Sequence, residues 1–268
     1  MDITELLTLF DHEQRIGISY PGMRKDIFPH LVRNVRDAPG KSWVQWSALD
    51  ERSANRAIDE QITFFRAHGG PFEWKVYGHD QPADLPRRLE ARGFVPEVGP
   101  DDWDTVMALD LRETPPALLA PVTADVRRIT SRDGLQEVIA VEEKVWDEDF
   151  SWMYERMGPA LEIPGYLSIY IVCVDNPPAC TGWIFFEPGS PFASLWGGST
   201  APAYRGRGLY TALLATRVQE ARQRGYRFLV IDAGAMSRPI VEKYGFRRLT
   251  TACSFEWKPP QSAPAGDA

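Results

Sequence analysis

The chain has 268 residues, 44% of them apolar and 25% charged. That is the composition of a globular protein with a buried core, not of a disordered or fibrous one, and its length suits one large domain or two small ones. A net charge of -7 argues against nucleic acid as a partner, because phosphate-backbone binding is built on clustered Lys and Arg.

The longest strongly apolar run, Leu167 to Val174, is too short to cross a bilayer, and the start Met1-Asp2-Ile3-Thr4-Glu5 lacks the basic flank of a secretory signal. The expectation is a soluble, cytoplasmic protein without a membrane partner. Cys173, Cys180 and Cys253 have no CxxC spacing and leave an odd count, so they read as buried, reduced thiols. His12, His30, His68 and His79 show no HExxH pairing, and no metal site is expected.

In chain order, Ile3, Leu6, Leu7 and Phe10 are spaced for a short amphipathic helix. Ser42 to Leu49 reads as a strand and Ser53 to His68 as a helix stopped by Gly69-Gly70. Phe72 to Tyr77 reads as a strand, Leu85 to Ala91 as a helix ended by Gly93, and Asp104 to Leu111 as a strand. The Pro-rich stretch from Thr114 to Pro121 reads as a linker. Beyond it come a strand at Val126 to Ile129 and helices at Gly134 to Val145 and Phe150 to Leu161. Three strands follow, Tyr166 to Val174, Ala179 to Glu187 and Phe192 to Ser199, antiparallel because their turns are short. Gly208 to Arg224 is a long helix closed by Gly225, Phe228 to Ile231 a buried strand, Pro239 to Tyr244 a short helix closed by Gly245, and Leu249 to Trp257 a last strand. Pro259 to Ala268 reads as a disordered tail.

The two halves resemble each other. Leu89-Glu90-Ala91-Arg92-Gly93-Phe94 parallels Val241-Glu242-Lys243-Tyr244-Gly245-Phe246, and Gly69 with Phe72 parallels Gly225 with Phe228. Each set is embedded in a strand, helix, strand, helix order, which points to an internal duplication. The expected domains are therefore 1–113 and 123–258, joined by a linker at 114–122 and followed by a tail at 259–268.

The segment from Thr200 through Arg205-Gly206-Arg207-Gly208-Leu209-Tyr210 lies between a strand and the long helix. Glycines let backbone amides approach a ligand, and the first helical turn presents unpaired N–H groups at a positive dipole end. Arg205 and Arg207 add charge where a phosphate would arrive. A P-loop is excluded, since Gly197-Gly198-Ser199-Thr200 carries no lysine. A dinucleotide site, with Asp232 on a ribose, is a weaker match because Thr211 holds the third glycine's place and the preceding strands form an antiparallel meander.

This pattern resembles the cofactor motif of the GCN5-related N-acetyltransferases (GNAT). In that family it runs Arg or Gln, two residues, Gly, one residue, then Gly or Ala; Tyr210 departs from it at the last place. The resemblance extends over residues 123 to 258 in element order and includes the Tyr244-Gly245-Phe246 helix end. It implies an α/β (α+β) fold of two GNAT-like domains, each a mixed, mainly antiparallel sheet flanked by helices. The second would be catalytic; the first would be a degenerate copy supporting the fold and one wall of the acceptor cleft. The first half's equivalent loop, Asp50 to Asn55, has no glycine and carries two acids, so it is expected to bind no CoA.

The implied activity is transfer of an acetyl or short acyl group from acetyl-CoA to an amine of a small molecule or peptide, by a monomer or homodimer. The resemblance places the cofactor on Gly197, Gly198, Ser199, Thr200, Arg205, Gly206, Arg207, Gly208, Leu209 and Tyr210. Gly197, Gly198 and Ser199 are the positions whose backbone N–H would polarise the thioester carbonyl. Asp232 and Glu187 are candidate bases. Ser237 either contacts the pantetheine or thiol or caps the helix that follows. Trp146, Asp147, Glu148 and Trp152 fall where the family receives the acceptor, and carboxylates beside aromatic faces suit a cationic amine. The tyrosine that protonates the leaving thiolate in many relatives is here Val241, and a usual asparagine is Gly234. A non-catalytic acyl-CoA sensor and a NAD-binding protein are the competing readings.

Overall fold

The structure, a computed structural model, describes residues 1–37 and 40–259; the expected tail lies outside them except for Pro259. Its elements are α1 (Ile3–Phe10), β1 (Arg24–Phe28), β2 (Leu31–Val35), β3 (Ser42–Ser47), α2 (Ala54–His68), β4 (Phe72–Tyr77), α3 (Leu85–Glu90), β5 (Val95–Pro96) and β6 (Asp104–Asp110). Then follow α4 (Pro116–Leu119), β7 (Asp125–Ile129), α5 (Leu135–Trp146), α6 (Trp152–Glu162), β8 (Leu167–Cys173), β9 (Pro178–Phe186), β10 (Phe192–Thr200), α7 (Leu209–Gln223), β11 (Phe228–Ala233), α8 (Arg238–Lys243) and β12 (Arg247–Trp257).

The chain divides into two compact units. One is Met1–Asp104 with the residues from Thr250 onward, and the other is Thr105–Leu249. The first contains a sheet in the order β1-β2-β3-β4-β12, antiparallel except at β3–β4. The second contains β6-β11-β10-β9-β8-β7, antiparallel except at β10–β11. The mixed, mainly antiparallel sheets flanked by helices are as the sequence predicts.

The unit boundaries differ from the expected ones, because strand pairing outweighs the proline-rich signal. β6 pairs with β11 from Asp110↔Phe228 to Thr105↔Ala233, so this strand of the first half belongs to the second unit. β12 pairs with β4 from Ala252↔Tyr77 to Trp257↔Phe72, so the last strand of the chain belongs to the first unit. The expected linker is packed structure: Leu118 on α4 is fully buried, and the Gln219 amide on α7 donates to the Leu118 and Ala120 carbonyls at 2.9 Å each.

Within each unit a parallel strand-helix-strand crossover, β3-α2-β4 or β10-α7-β11, is followed by a short helix with the same closure. Phe94 N–H donates to the Leu89 carbonyl and Phe246 N–H to the Val241 carbonyl, both at 3.2 Å. The glycine before each Phe has positive φ, +84° at Gly93 and +87° at Gly245. These are paired helix stops with a buried aromatic behind the glycine.

In the second unit, β8 is buried along its whole length because it is covered on both faces. Leu167, Ile169, Ile171 and Cys173 pack with α5 and α6, while Tyr170 and Val172 pack with Leu213 of α7. The hairpin β1–β2 was not legible as strands. β2 is buried but carries Arg33 and Asn34, and Arg33 is accommodated by stacking 3.3 Å from the Phe64 ring centroid and by donating to Asp26 and Gln61.

The segment after α1 is a wide helical turn, Asp11–Gly17, held by a buried polar network. Arg15, 1% exposed, donates from Nη2 to both carboxylate oxygens of Asp80 at 2.7 and 2.9 Å and from Nη1 to Asp11 at 2.9 Å. Breaking a buried ion pair strands its partner's charge. Asp80→Ala is therefore expected to lower the unfolding free energy by about 3 kcal/mol, read as a lower urea midpoint at an unchanged denaturant slope.

Candidate functional site

The chemistry-bearing residues of the second unit converge where β10 leaves β11. The parallel pairing runs from Phe192↔Phe228 to Leu195↔Ile231 and stops, although β10 continues to Thr200 and β11 to Ala233. On its other edge β10 gains one residue: Trp196 pairs with Trp183 and Ser199 with Thr181, so three steps on β10 match two on β9. This is a β-bulge, and it reverses the faces beyond it.

Leu195 packs in the cluster shared with α7, whereas a Cβ on Gly197, two residues on, would lie 1.8 Å from the Trp183 ring, which packs with α5 and α6. Gly197 has φ +57°, and a Cβ at Gly198 would lie 2.6 Å from the Tyr210 ring. Two glycines are thus required by close approach on opposite faces of the strand. Arg217 of α7, fully buried, donates from Nη1 to the carbonyls of Trp183 and Trp196 at 3.2 Å each, fastening both strands at the near edge of the bulge.

At the open end of β10 stands the predicted anion loop. Gly206 and Gly208 have φ +74° and +78°, and α7 starts at Leu209 with no side chain capping it. The first N–H groups of a 15-residue helix are therefore left without a side-chain acceptor. Arg205 donates from Nε to the Thr200 carbonyl at 3.2 Å, and Arg207 lies 5.3 Å from the Tyr204 ring centroid. The Tyr210 ring, the departure from the family motif, packs into the interior against Gly198.

The corresponding loop of the first unit is different. The Asp50 carboxylate accepts from the N–H groups of Arg52 and Ser53 at 3.0 and 2.7 Å and from the Ser53 hydroxyl at 2.6 Å. An acid of the chain itself thus closes the turn that leads into α2, and the Ser53 bonds hold its carboxyl below the usual range.

Of the other expected site residues, Asp232 and Trp146 lie at the same open end. Asp232 follows the last β10–β11 pair and is half-buried. Trp146 ends α5, 53% exposed, and donates from Nε1 to Ser199 Oγ at 3.1 Å. Asp147 is the left-handed residue closing α5, with φ 56°, so its backbone has a structural duty. Glu148 is exposed, and Trp152, 42% exposed, opens α6. Ser237 precedes α8 but does not cap it; its hydroxyl donates to the Gly234 carbonyl at 3.3 Å. Val241 is fully buried, so the place of the usual tyrosine lies in the core.

Glu187 is not brought to this end. It follows the Phe186↔Ala193 pair, on the closed side of the ladder, roughly 13 Å from Trp196 at about 3.3 Å per strand residue. It is nonetheless a perturbed acid: burial raises its pKa to about 7, against a hydrogen bond from Tyr166.

The sequence reading missed Glu142. It is 2% exposed on α5, and its Oε2 accepts from Ser199 Oγ at 2.8 Å and from Trp146 Nε1 at 3.0 Å. Burial raises its pKa to about 7, against those two hydrogen bonds. A signal was present: Leu135, Val138, Ile139, Glu142 and Trp146 share one helical face.

An acid whose folded pKa lies above its unfolded value destabilises the fold once the unfolded chain ionises. For Glu187 the full stability is present below about pH 4 and is lost as pH rises toward 7, a shift worth roughly 3 kcal/mol. Glu187→Gln should therefore raise the thermal midpoint at pH 8 and leave it almost unchanged at pH 4.

Residues 133–246 match the "Acetyltransferase (GNAT) family". No curated protein matches the chain. Among solved structures, a GCN5-related N-acetyltransferase from Kribbella flavida superposes with a TM-score of 0.66 at 14% identity, covering 96% of this chain and 95% of that one. A functionally unknown conserved protein from Staphylococcus epidermidis gives 0.65 at 9% identity, over 89% and 95%. A tandem GNAT protein from the clavulanic acid biosynthesis pathway gives 0.58 at 14% identity, over 97% and 96%. At these identities the structures speak for the fold alone, and it is the family match that places a GNAT-family domain at residues 133–246.

Proposed function

We propose that the second unit transfers an acetyl or other short acyl group from acyl-CoA to an amine of a small molecule or peptide. The observation that carries this reading is the coincidence, at one end of β10, of a strand parting from its parallel neighbour and a glycine-opened helix start. The parting leaves room for an extended ligand beside a strand, and the head of α7 suits its phosphates.

In this reading the amides from Arg205 to Tyr210 hold the pyrophosphate, and Arg205 and Arg207 supply positive charge beside it. Gly197, Gly198, Ser199 and Thr200 line the pantetheine, with a backbone N–H of the bulge polarising the thioester carbonyl. When bound, acetyl-CoA supplies the activated acyl group. Asp232 stands on the β11 side of the opening, where a carboxylate favours an ammonium acceptor, and Trp146 and Trp152 offer the aromatic faces. With Val241 in the core, the departing thiolate is protonated by solvent. The first unit is read as a degenerate copy that binds no CoA, since the Asp50 carboxylate sits in the turn that leads into α2.

A sensor that holds acyl-CoA without consuming it is favoured by one feature, the burial of Val241; release of CoA thiol in the presence of amines separates the two readings. Calorimetry with acetyl-CoA tests the site itself, with NAD as the control ligand. The wild type should bind acetyl-CoA and not NAD. Gly208→Trp, which sets a bulky side chain at a positive-φ position on the head of α7, should weaken binding at least about tenfold, or 1.4 kcal/mol, with an unchanged circular dichroism spectrum. Absence of acetyl-CoA binding by the wild type, or equal affinity in a folded variant, contradicts the reading.

A further inference from the structure

Glu142 is a buried acid that helix packing does not require. Its Oε2 takes both hydrogen bonds, from Ser199 Oγ at 2.8 Å and Trp146 Nε1 at 3.0 Å. Its Oε1 is buried with no hydrogen-bond partner. A helix-to-strand anchor needs only an acceptor, which a glutamine carbonyl would provide without the cost of burying a charge.

The surroundings offer little compensation. Of the elements packed against α5, β9 brings Cys180, whose thiol lies within electrostatic reach of the carboxylate, and β10 brings Ser199. On α6, Glu155 pairs with Arg132, and Arg156 lies 5.7 Å from the Trp152 ring centroid. On α5 itself, Glu143 and Lys144 are exposed. What a carboxylate adds over an amide at this place is the capacity to take up a proton.

Ser199 lies four residues beyond the last β10–β11 pair, at Leu195, in the opened stretch where the bulge is. We propose that Ser199 is the residue that meets the attacking amine and that Glu142 acts through it as the proton acceptor, an inference that rests on the acyltransferase reading above. The ammonium acceptor first loses a proton to solvent; the neutral amine nitrogen then forms the new C–N bond and gives a second proton to Ser199 Oγ. The Ser199 hydroxyl proton passes to Glu142 Oε2, and the C–S bond breaks with its electron pair on sulfur. Trp146 Nε1, bonded to both Glu142 and Ser199, fixes the serine rotamer and favours the ionised acid. Burial sets that acid near neutrality, with a pKa of about 7, where an acceptor is most effective.

The test follows thiol release from acetyl-CoA against pH, with 2-phenylethylamine as the amine and with water alone, alongside calorimetry of acetyl-CoA. Expressed per free-base amine, the wild-type rate is expected to rise as pH passes through about 7, because the acid must be ionised. Glu142→Gln should bind acetyl-CoA as the wild type does, release thiol at least about 100-fold more slowly at pH 7, and lose that limb of the profile. Trp146→Phe, which removes one stabilising donor from the carboxylate, should keep the limb and move it to higher pH, a shift that a purely structural role would not produce.

A wild type that fails to bind acetyl-CoA overturns the underlying acyltransferase reading. A wild type that binds it but releases no thiol with either nucleophile overturns that reading too, in favour of the sensor; one that releases thiol yet shows no limb near pH 7 overturns the role of Glu142 alone. So does a Glu142→Gln variant that retains rate and profile.

Discussion

The second unit is organised around one interruption in hydrogen bonding. β10 and β11 pair as regular parallel strands through Leu195↔Ile231 and then part, while β10 takes in one residue more than β9 can match. A parallel pair satisfies main-chain groups along its length, so ending it early exposes backbone that a bound strand-like ligand can use. The bulge is held open by what packs on it. Trp183 occupies the space above Gly197, Tyr210 the space below Gly198, and Arg217 binds the carbonyls of Trp183 and Trp196 at its edge.

From this interruption the remaining parts of the site acquire their positions. The strand ends beside a loop whose two positive-φ glycines lead into α7 without a side-chain cap, so extended backbone and a helix dipole face the same region. Reversal of faces at the bulge turns Ser199 toward α5 and into contact with Glu142 and Trp146. The first unit has the corresponding crossover but places the Asp50 carboxylate, an acid of its own chain, in the turn that leads into α2.

Much of this was legible in the sequence. The run from β8 to β10, the long helix α7, the Gly-Phe helix ends and the loop at Arg205 to Tyr210 follow from turn residues and periodicity, because local chemistry decides them. The exchange of β6 and β12 between the units was not legible, since strand pairing is a long-range choice and the Pro-rich stretch at 114–121 gave a stronger local signal. The β1–β2 hairpin escaped because Arg33, buried by stacking on Phe64, disguises an interior strand as a polar one. Glu142 was not singled out, although its register with Leu135, Val138 and Ile139 places it on the apolar face. Glu187 misled for the complementary reason. A strand-end carboxylate is visible in a sequence, but which end of the ladder it occupies is not.

The central claim, that the parted stretch of β10 and the head of α7 together form the acyl-CoA site, is tested most directly by hydrogen exchange of the backbone amides with and without acetyl-CoA. The account predicts slower exchange confined to Trp196–Thr200 and Arg205–Tyr210, with Asp50–Asn55 unchanged. Protection at Asp50–Asn55, or none in either segment of the second unit at saturating ligand, would contradict it.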